Sequence, residues 1–371
     1  MATEEEQENT DSLGDWLARV WSRTWKAISV PMLSIVLALL IGAIIIWISG
    51  SNPITAYAAL LKGAFGSPEA LQRTLEKATP LVFAGLAVAF AFKAGLFNIG
   101  GSGQLLFGAI IAGYLGYAID GLPFIIHMPL ALLGGSLAGA LWAAIAGALK
   151  TYTGAHEVIT TIMLNYIAIN LTDYLSNGPW KDEGIIARTP AVLETAVIPT
   201  WGFVPVGFLL ACIMAVVTYY LLYKTTMGYA IRTTGLNPSA ALYAGIKVGT
   251  VIIMTMAFSG FLAGMGGAVE TLGVVGRYQP GFNAGLGFDG ITIALLAKTH
   301  PLGVIPAAIL LGAMDAGGSQ MQFNAGVRFQ IIGVIQALIL FFVSADVIVR
   351  KILGSRAVDD DKVTLSTGWG G

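Results

Sequence analysis

Ten stretches of the chain run without a charged residue, at 27–61, 78–92, 94–119, 121–149, 158–172, 195–223, 248–269, 290–297, 299–314 and 329–345. A helix needs about 20 mostly apolar residues to cross the hydrocarbon of a bilayer, so the shorter stretches must borrow flanking residues. The pattern predicts an all-α polytopic membrane protein with about ten transmembrane helices. The run at 290–297 is the weakest, and nine or eleven spans fit nearly as well. An even count puts both termini on one side, and the Lys/Arg balance between loops chooses that side. With the N-terminus inside, Arg19, Arg23, Lys26, Lys93, Lys150, Lys224, Arg232, Lys247, Lys298, Arg350, Lys351, Arg356 and Lys362, thirteen of the 20 basic residues, fall in the cytoplasm. Both termini are therefore expected there.

Composition points the same way. Of 371 residues, 56% are hydrophobic and 11% charged, against about 25% charged in an ordinary soluble domain. The 20 Lys and Arg nearly cancel 21 Asp and Glu, which leaves no basic face for a nucleic acid. Cys212 is the single cysteine, so an intrachain disulfide, a cysteine-ligated zinc and a CxxC pair are excluded on count. The 47 glycines are scattered through apolar runs, where they allow close helix packing.

The first 15 residues, with Glu4, Glu5, Glu6 and Glu8, read as an acidic tail without the marks of a secretory signal. Trp16, Trp21 and Trp25 alternate with Arg19, Arg23 and Lys26, as in a helix lying at headgroup level. The expected organisation is a tail and interfacial helix over 1–26, a transmembrane domain over 27–350, and a cytoplasmic tail over 351–371. The non-spanning pieces at 50–75, 176–200 and 224–247 are too short for an independent core.

Four places break the apolar pattern, and polar groups are costly in lipid unless a cavity or partner accepts them. Residues 93–104 hold Gly95, Gly100, Gly101 and Gly103 with Asn98 and Gln104, a broken helix or turn whose amides either satisfy freed backbone or face a solute. In 156–170, Glu157, Thr161, Asn165 and, less closely, Tyr166 recur at helical spacing, which makes one face polar; neighbouring-helix hydrogen bonds and pathway lining both explain such a face. His156 beside Glu157 lacks a nucleophile nearby and does not read as catalytic. The 224–247 loop contains Asn237-Pro238, a capped helix start before a short, small-sided helix. Residues 277–298 place Asp289 and Lys298 around a brief apolar core. Phe-Asn-x-Gly occurs at 97–100, 282–285 and 323–326, and the first two precede comparable segments, a hint of an inverted repeat of spans 2–5 and 7–10.

Three motifs in order, Gly95-Leu-Phe-Asn-Ile-Gly-Gly-Ser-Gly-Gln-Leu-Leu106, His156-Glu-Val-Ile-Thr-Thr-Ile-Met-Leu-Asn-Tyr-Ile-Ala168 and the Gly228–Ile246 loop, resemble the permease subunit of bacterial ABC importers. The closest subgroup is that of nucleoside and simple-sugar permeases, related to the branched-chain amino acid and ribose permeases. The likeness spans about residues 30–350. It implies half of a membrane channel in the bacterial inner membrane, paired with a second permease subunit as heterodimer or homodimer. A periplasmic or lipid-anchored binding protein would deliver the solute, and a separate ATPase subunit would hold ATP and Mg. It implies that Gly228, Arg232, Gly235, Asn237, Pro238, Ala240, Ala241, Tyr243 and Gly245 form the coupling loop that docks on the ATPase. The sequence departs from the family at Ser102, where an acidic residue is common, and at Lys298, where glycine is common.

The chain has no GxxxxGK[ST] phosphate loop, so it cannot cradle ATP by that device and no cofactor is expected on it. The subgroup favours a nucleoside, especially a purine nucleoside, over a free sugar. Asn98, Gln104, Thr161, Asn165, Phe258 and Gln336 have suitable chemistry for a neutral polar ring along the path. Glu270 and Asp289 read as outer-end carboxylates that pair structurally with Arg277 or meet the binding protein. A gradient-driven secondary transporter is the rival, disfavoured because no charge clearly occupies the middle of a span. A membrane enzyme ranks third, since His127, His156 and His300 lie apart.

Overall fold

The computed structural model describes residues 13–281 and 285–345, with side chains from residue 31 onward. The expectations for residues 1–12, for 351–371, for Phe282 and Asn283, and for the Trp16, Trp21 and Trp25 side chains lie outside the described residues.

Each charge-free run holds a helix. In chain order they are α1 (Leu13–Ile48), α2 (Pro53–Phe65), α3 (Pro68–Lys93), α4 (Gly101–Ala118), α5 (Phe124–Thr153) and α6 (Glu157–Asn177). There follow α7 (Val206–Lys224), α8 (Thr226–Leu236), α9 (Pro238–Tyr243), α10 (Val248–Glu270), α11 (Leu286–Leu296), α12 (Pro301–Ala325) and α13 (Gln330–Ser344). A two-stranded hairpin, β1 (Thr200–Trp201) and β2 (Val204–Pro205), is the only sheet among the described residues.

Seven helices are long and apolar enough to cross a membrane: the Pro31–Ile48 part of α1, α3, α5, α6, α7, α10 with its π-helical extension Thr271–Val275, and α12. Three further runs hold shorter helices. α4 has 18 residues, whereas α11 has 11 and α13 has 15, so at about 1.5 Å per residue the last two fall short of about 30 Å of hydrocarbon. The run at 27–61 contains two helices, because Ser49-Gly50-Ser51-Asn52-Pro53 breaks it without any charge: Gly50 has φ +86° and Asn52 Oδ1 accepts the Ile54 N–H at 2.9 Å. No break separates an interfacial helix from the first span, since α1 continues through residues 26 and 27.

α3 is hydrophobic all round in its second half, and Phe83, Leu86 and Phe90 are fully buried there, so it is the central helix. α10 packs on it, and α4, α5 and α10 cross one another at backbone contact. A Cβ on Gly108 would lie 2.1 Å from the Gly264 carbonyl oxygen, and one on Gly267 2.0 Å from that of Leu105. Nothing larger than hydrogen fits at these crossings, which is how membrane helices gain packing where lipid supplies no hydrophobic drive.

The molecule has two ends. At one, α8 and α9 lie with the Lys93 end of α3 and the start of α6; at the other, His127 bonds Thr195 Oγ1 at 2.8 Å and Ile198 N–H bonds the Leu272 carbonyl at 3.0 Å, tying the 190–205 loop down. Phe97-Asn-Ile-Gly100 leads into α4 and Gly285 into α11, and the two starts touch where a Cβ on Gly287 would lie 2.2 Å from Ser102 N. The third Phe-Asn-x-Gly ends a helix instead, with Gly326 at φ +66° closing α12.

Candidate functional site

The 224–247 loop folds into two capped helices. Thr225 Oγ1 accepts the Gly228 N–H at 3.1 Å, and a Cβ on Gly228 would lie 2.1 Å from the Leu221 carbonyl oxygen, so α8 turns back hard against the end of α7. Arg232 braces that turn, its Nε donating to the Gly228 carbonyl at 3.4 Å and its guanidinium 5.1 Å from the Tyr223 ring centre. Asn237 Oδ1 accepts the Ala240 N–H at 3.0 Å with Pro238 in the first turn, as the sequence predicts. Ala241 is buried, and Gly245 at φ +80° ends α9. Ala240 and the larger Leu236, Leu242 and Tyr243 stay exposed, Leu236 at 89% and Tyr243 at 94%. Exposed apolar side chains on a rigid frame form a contact surface.

Gly235 seats this unit on the membrane part. Its Cβ, if present, would lie 2.3 Å from the Lys93 carbonyl oxygen and 2.9 Å from Gly95 N. Backbone thus meets backbone at the point where α3 ends and Gly95, at φ +71°, turns the chain into the extended strap 94–100 that leads to α4.

The strap is locked by side chains. Asn98 and Gln104 exchange both amide bonds at 2.9 Å, Asn98 Nδ2 also donates to Ser259 Oγ at 2.8 Å, and Asn98 Oδ1 accepts the Gly100 N–H at 3.0 Å. Ser259 Oγ in turn donates to the Ala87 carbonyl at 2.7 Å. Asn165 on α6 reaches across, Nδ2 donating to the Ile99 carbonyl at 2.9 Å and Oδ1 accepting the Gly103 N–H at 2.8 Å. Glu157 Oε2 accepts from Lys150 Nζ at 2.6 Å, which ties the start of α6 to the end of α5. Each such bond contributes about 1 kcal/mol net, but orphaning a buried partner costs about 1–3 kcal/mol.

The candidate path residues therefore divide. Asn98, Gln104, Thr161 and Asn165 are buried, and all four bond within the chain, Thr161 Oγ1 to the Glu157 carbonyl at 2.7 Å. Phe258 packs between Phe90, tilted at 4.6 Å, and Phe261, stacked at 6.1 Å. Gln336 Nε2 donates to Asp315 Oδ1 at 2.9 Å. Tyr166 does not share the face of Glu157, Thr161 and Asn165: it is exposed, with Ile159, Met163, Asn170, Tyr174 and Asn177 along one stripe of α6. Sequence spacing assigned Tyr166 to the wrong stripe because α6 is polar on two sides.

The carboxylates also differ from expectation. Arg277 pairs with Asp182 at 3.3 Å, which also holds Arg188 at 3.2 Å, and not with Glu270. Glu270 is buried beside a hollow lined by Glu76, Thr79, Pro205 and Gly207, and its Oε2 has no hydrogen-bond partner among the described residues. Asp289, in the first turn of α11, interacts with Asp315, which lies well inside α12. Asp315 was missed because the charge-free run ends at 314 while the helix continues to Ala325; a charge does occupy a span, so its supposed absence no longer argues against a gradient-driven carrier. Among the described residues no group of three or more His, Cys, Asp or Glu could hold a metal.

Residues 70–344 match the family described as branched-chain amino acid transport system / permease component. The chain is 39% identical to the guanosine ABC transporter permease protein NupP of Bacillus subtilis, over 88% of this chain and 95% of that one. It is 33% identical to the nucleoside ABC transporter permease protein NupB of Lactococcus lactis subsp. cremoris, over 92% and 98% of the two chains. It is likewise 33% identical to the glucose ABC transporter permease protein TsgB13 of Haloferax volcanii, over 86% and 87%. With that match over most of its length and an architecture of apolar helices, the chain is a multi-pass membrane protein that belongs to the branched-chain amino acid transport system / permease component family.

Proposed function

We propose that this chain is the membrane permease of an ATP-driven nucleoside importer, with ATP and Mg held on a separate ATPase subunit. The observation that carries the reading is the 39% identity to a guanosine permease over nearly the whole of both chains. The α8–α9 unit gives it a mechanical counterpart. Two capped helices present Leu236, Leu242 and Tyr243 to a partner and bear through Gly235 on the strap. Closure of the ATPase pushes that unit as a rigid body, and the strap passes the displacement to α4 and to α11 beside it. On this reading the α8–α9 end faces the cytoplasm.

A polar stripe has no place against lipid. Tyr166, Asn170 and Tyr174 of α6, exposed in the single chain, are best placed along the path opposite a second permease subunit, with Asn98, Gln104, Thr161 and Asn165 as the wall behind them. Phenol rings and neutral amides suit a nucleobase and ribose hydroxyls. Such contacts are weak enough to release solute, which leaves selection to a periplasmic or lipid-anchored binding protein. The second reading, a simple sugar, is favoured by the 33% identity to a glucose permease.

Reconstitution with the ATPase, the second permease and the binding protein tests the reading. ATP-dependent uptake of labelled purine nucleosides, competed by unlabelled nucleoside and not by glucose, is the expected result. Glucose-competed uptake selects the second reading, and uptake without the ATPase overturns both. In the same system Asn170→Leu and Tyr166→Ala raise the KM for uptake and leave ATPase docking unchanged.

A further inference from the structure

α6 ends at Asn177, and the chain then crosses the end of the molecule opposite α8 and α9 before α7 begins. Most of that crossing is fastened down. Trp180 stacks on Tyr114 with ring centres 4.3 Å apart. The Thr189 N–H donates to the Tyr278 carbonyl at 2.9 Å, and Thr189 Oγ1 accepts the Tyr278 N–H at 3.0 Å. The Val192 and Leu193 N–H groups donate to the Gly276 and Gly116 carbonyls, each at 2.9 Å. Between Trp180 and Thr189 one loop stands clear. Its neck is shut by the Asp182 N–H, which donates to the Arg188 carbonyl at 2.8 Å, and by the Asp182 carboxylate, which holds Arg188 at 3.2 Å and Arg277 at 3.3 Å. At its tip Ile185 is 99% exposed and Ile186 65%, after the exposed charges of Lys181 and Glu183 in the chain.

Aliphatic side chains held out on a frame braced in advance are the anchors of a contact, because little order remains to be imposed when a partner arrives. Lipid is a poor match for this tip: interfacial anchors are built from Trp, Tyr and long basic side chains, as the β1–β2 hairpin is at Trp201. A permanent second permease is a poor match too, since a stable interface takes about 800 Å² from each partner and two side-chain tips supply a small part of that. A partner that docks and leaves in every cycle suits so small an anchor. The loop stands at the end of α6 toward which the Tyr166, Asn170 and Tyr174 stripe runs, and Arg277 joins its neck to the segment directly after the π-helical turn Thr271–Val275. We propose that the 182–188 loop is the docking point of the solute-binding protein. Ile185 and Ile186 enter an apolar recess on that protein, while Asp182, Arg188 and Arg277 keep the tip in shape and carry its load to residues 276–278. This inference rests on the reading of the chain as an importer permease.

The test uses the complex of this chain, the second permease and the ATPase in nanodiscs, with the solute-loaded binding protein added. Ile185→Ser combined with Ile186→Ser removes the apolar tip, Ile185→Val combined with Ile186→Val preserves it, and Asp182→Asn gives up the charge that holds both arginines. Affinity for the binding protein, ATP hydrolysis without it, and the second permease retained on purification are read together. The double Ser variant is expected to bind about ten- to a hundredfold more weakly, the scale of one or two lost aliphatic anchors, with hydrolysis and subunit content unchanged and uptake restored at excess binding protein. The double Val variant is expected to stay within about twofold of wild type, and Asp182→Asn to weaken binding by about two- to fivefold. Wild-type affinity in the double Ser variant overturns the proposal. Loss of the second permease from that variant also overturns it and assigns the tip to the permease interface, and a fall in hydrolysis as large as the fall in affinity does the same by showing general damage. Wild-type uptake that needs no binding protein would instead overturn the reading beneath the proposal.

Discussion

The strap between α3 and α4 and the corner that ends α10 are both places where a membrane helix abandons its regular ladder, and they are built in opposite ways. In the strap, Asn98, Gln104, Asn165 and Ser259 satisfy one another and the freed backbone. At the α10 corner the ladder loosens into the π-helical turn Thr271–Val275, and Glu270 Oε2 and Thr271 Oγ1 have no hydrogen-bond partner among the described residues. A saturated network has one low-energy arrangement and moves as a block. An unsaturated one can repack at little cost, because few bonds are lost. The locked region lies beside α8, where on the proposed function displacement is passed on; the loose one lies beside the hairpin, at the opposite end.

The comparison breaks most readily at Gly235. Gly235→Val puts carbon where the Lys93 carbonyl oxygen already lies 2.3 Å away, a backbone clash that no rotamer relieves. ATP-driven uptake in vesicles is expected to fall by at least about tenfold, from a shift of roughly 1–3 kcal/mol in how α8 seats, while the protein remains in the membrane fraction. Uptake equal to wild type would show that α8 does not bear on the strap. The next effect is on stability. Asn98→Ala orphans the Gln104 amide and the Gly100 N–H, while Ser259 keeps its bond to the Ala87 carbonyl, so thermal unfolding in detergent should show a loss of about 2–4 kcal/mol, the sum of two unsatisfied buried groups. The corner should answer differently. Glu270→Gln replaces a buried carboxyl that has one oxygen unpaired, and its stability should lie between unchanged and about 1 kcal/mol higher. A loss as large as that of Asn98→Ala would mean that the corner is as tightly bonded as the strap.

Much of the helix layout was legible because lipid excludes charge more strongly than it selects any other feature: every charge-free run holds a helix. What the rule cannot see is a break made of neutral residues. Ser49 to Pro53 carries no charge, yet it ends α1 and caps α2, and the cue was the same Asn-Pro pair that located α9 correctly at Asn237-Pro238. The α8–α9 unit was readable to the extent that capping is local. The seat of Gly235 on Lys93 and Gly95 was not, because it joins backbones far apart in sequence, where periodicity is silent. The amides of Asn98 and Asn165 are polar in either role, and only their partners, Ser259 and the Ile99 carbonyl, show that they are occupied. Glu270 and Arg277 looked like a pair because they are close in the chain, but Asp182 takes the arginine from another loop.

The smallest expected effect concerns pH at the strap end. His300 caps the start of α12, after Lys298 and Thr299 in left-handed backbone at φ 50° and 56°, and its ring lies 5.5 Å from Tyr219 and 5.9 Å from Tyr223. Partial burial, and then the charge of Lys93, hold its pKa below the ordinary histidine value. The native state therefore prefers the neutral ring. Stability linked to this residue is complete above the unfolded pKa of about 6.5 and is lost as pH falls from there through the lower folded value. The ring is largely exposed, so the effect is small and weakens further with salt. In detergent at low ionic strength, the unfolding midpoint of the wild type should drop slightly between about pH 7 and pH 5, and His300→Asn should lose part of that drop. An unaltered pH profile in His300→Asn would assign the acid sensitivity elsewhere. A profile removed entirely would make this turn, next to Lys93 at the foot of the strap, the point where proton concentration reaches the locked region and not the loose one.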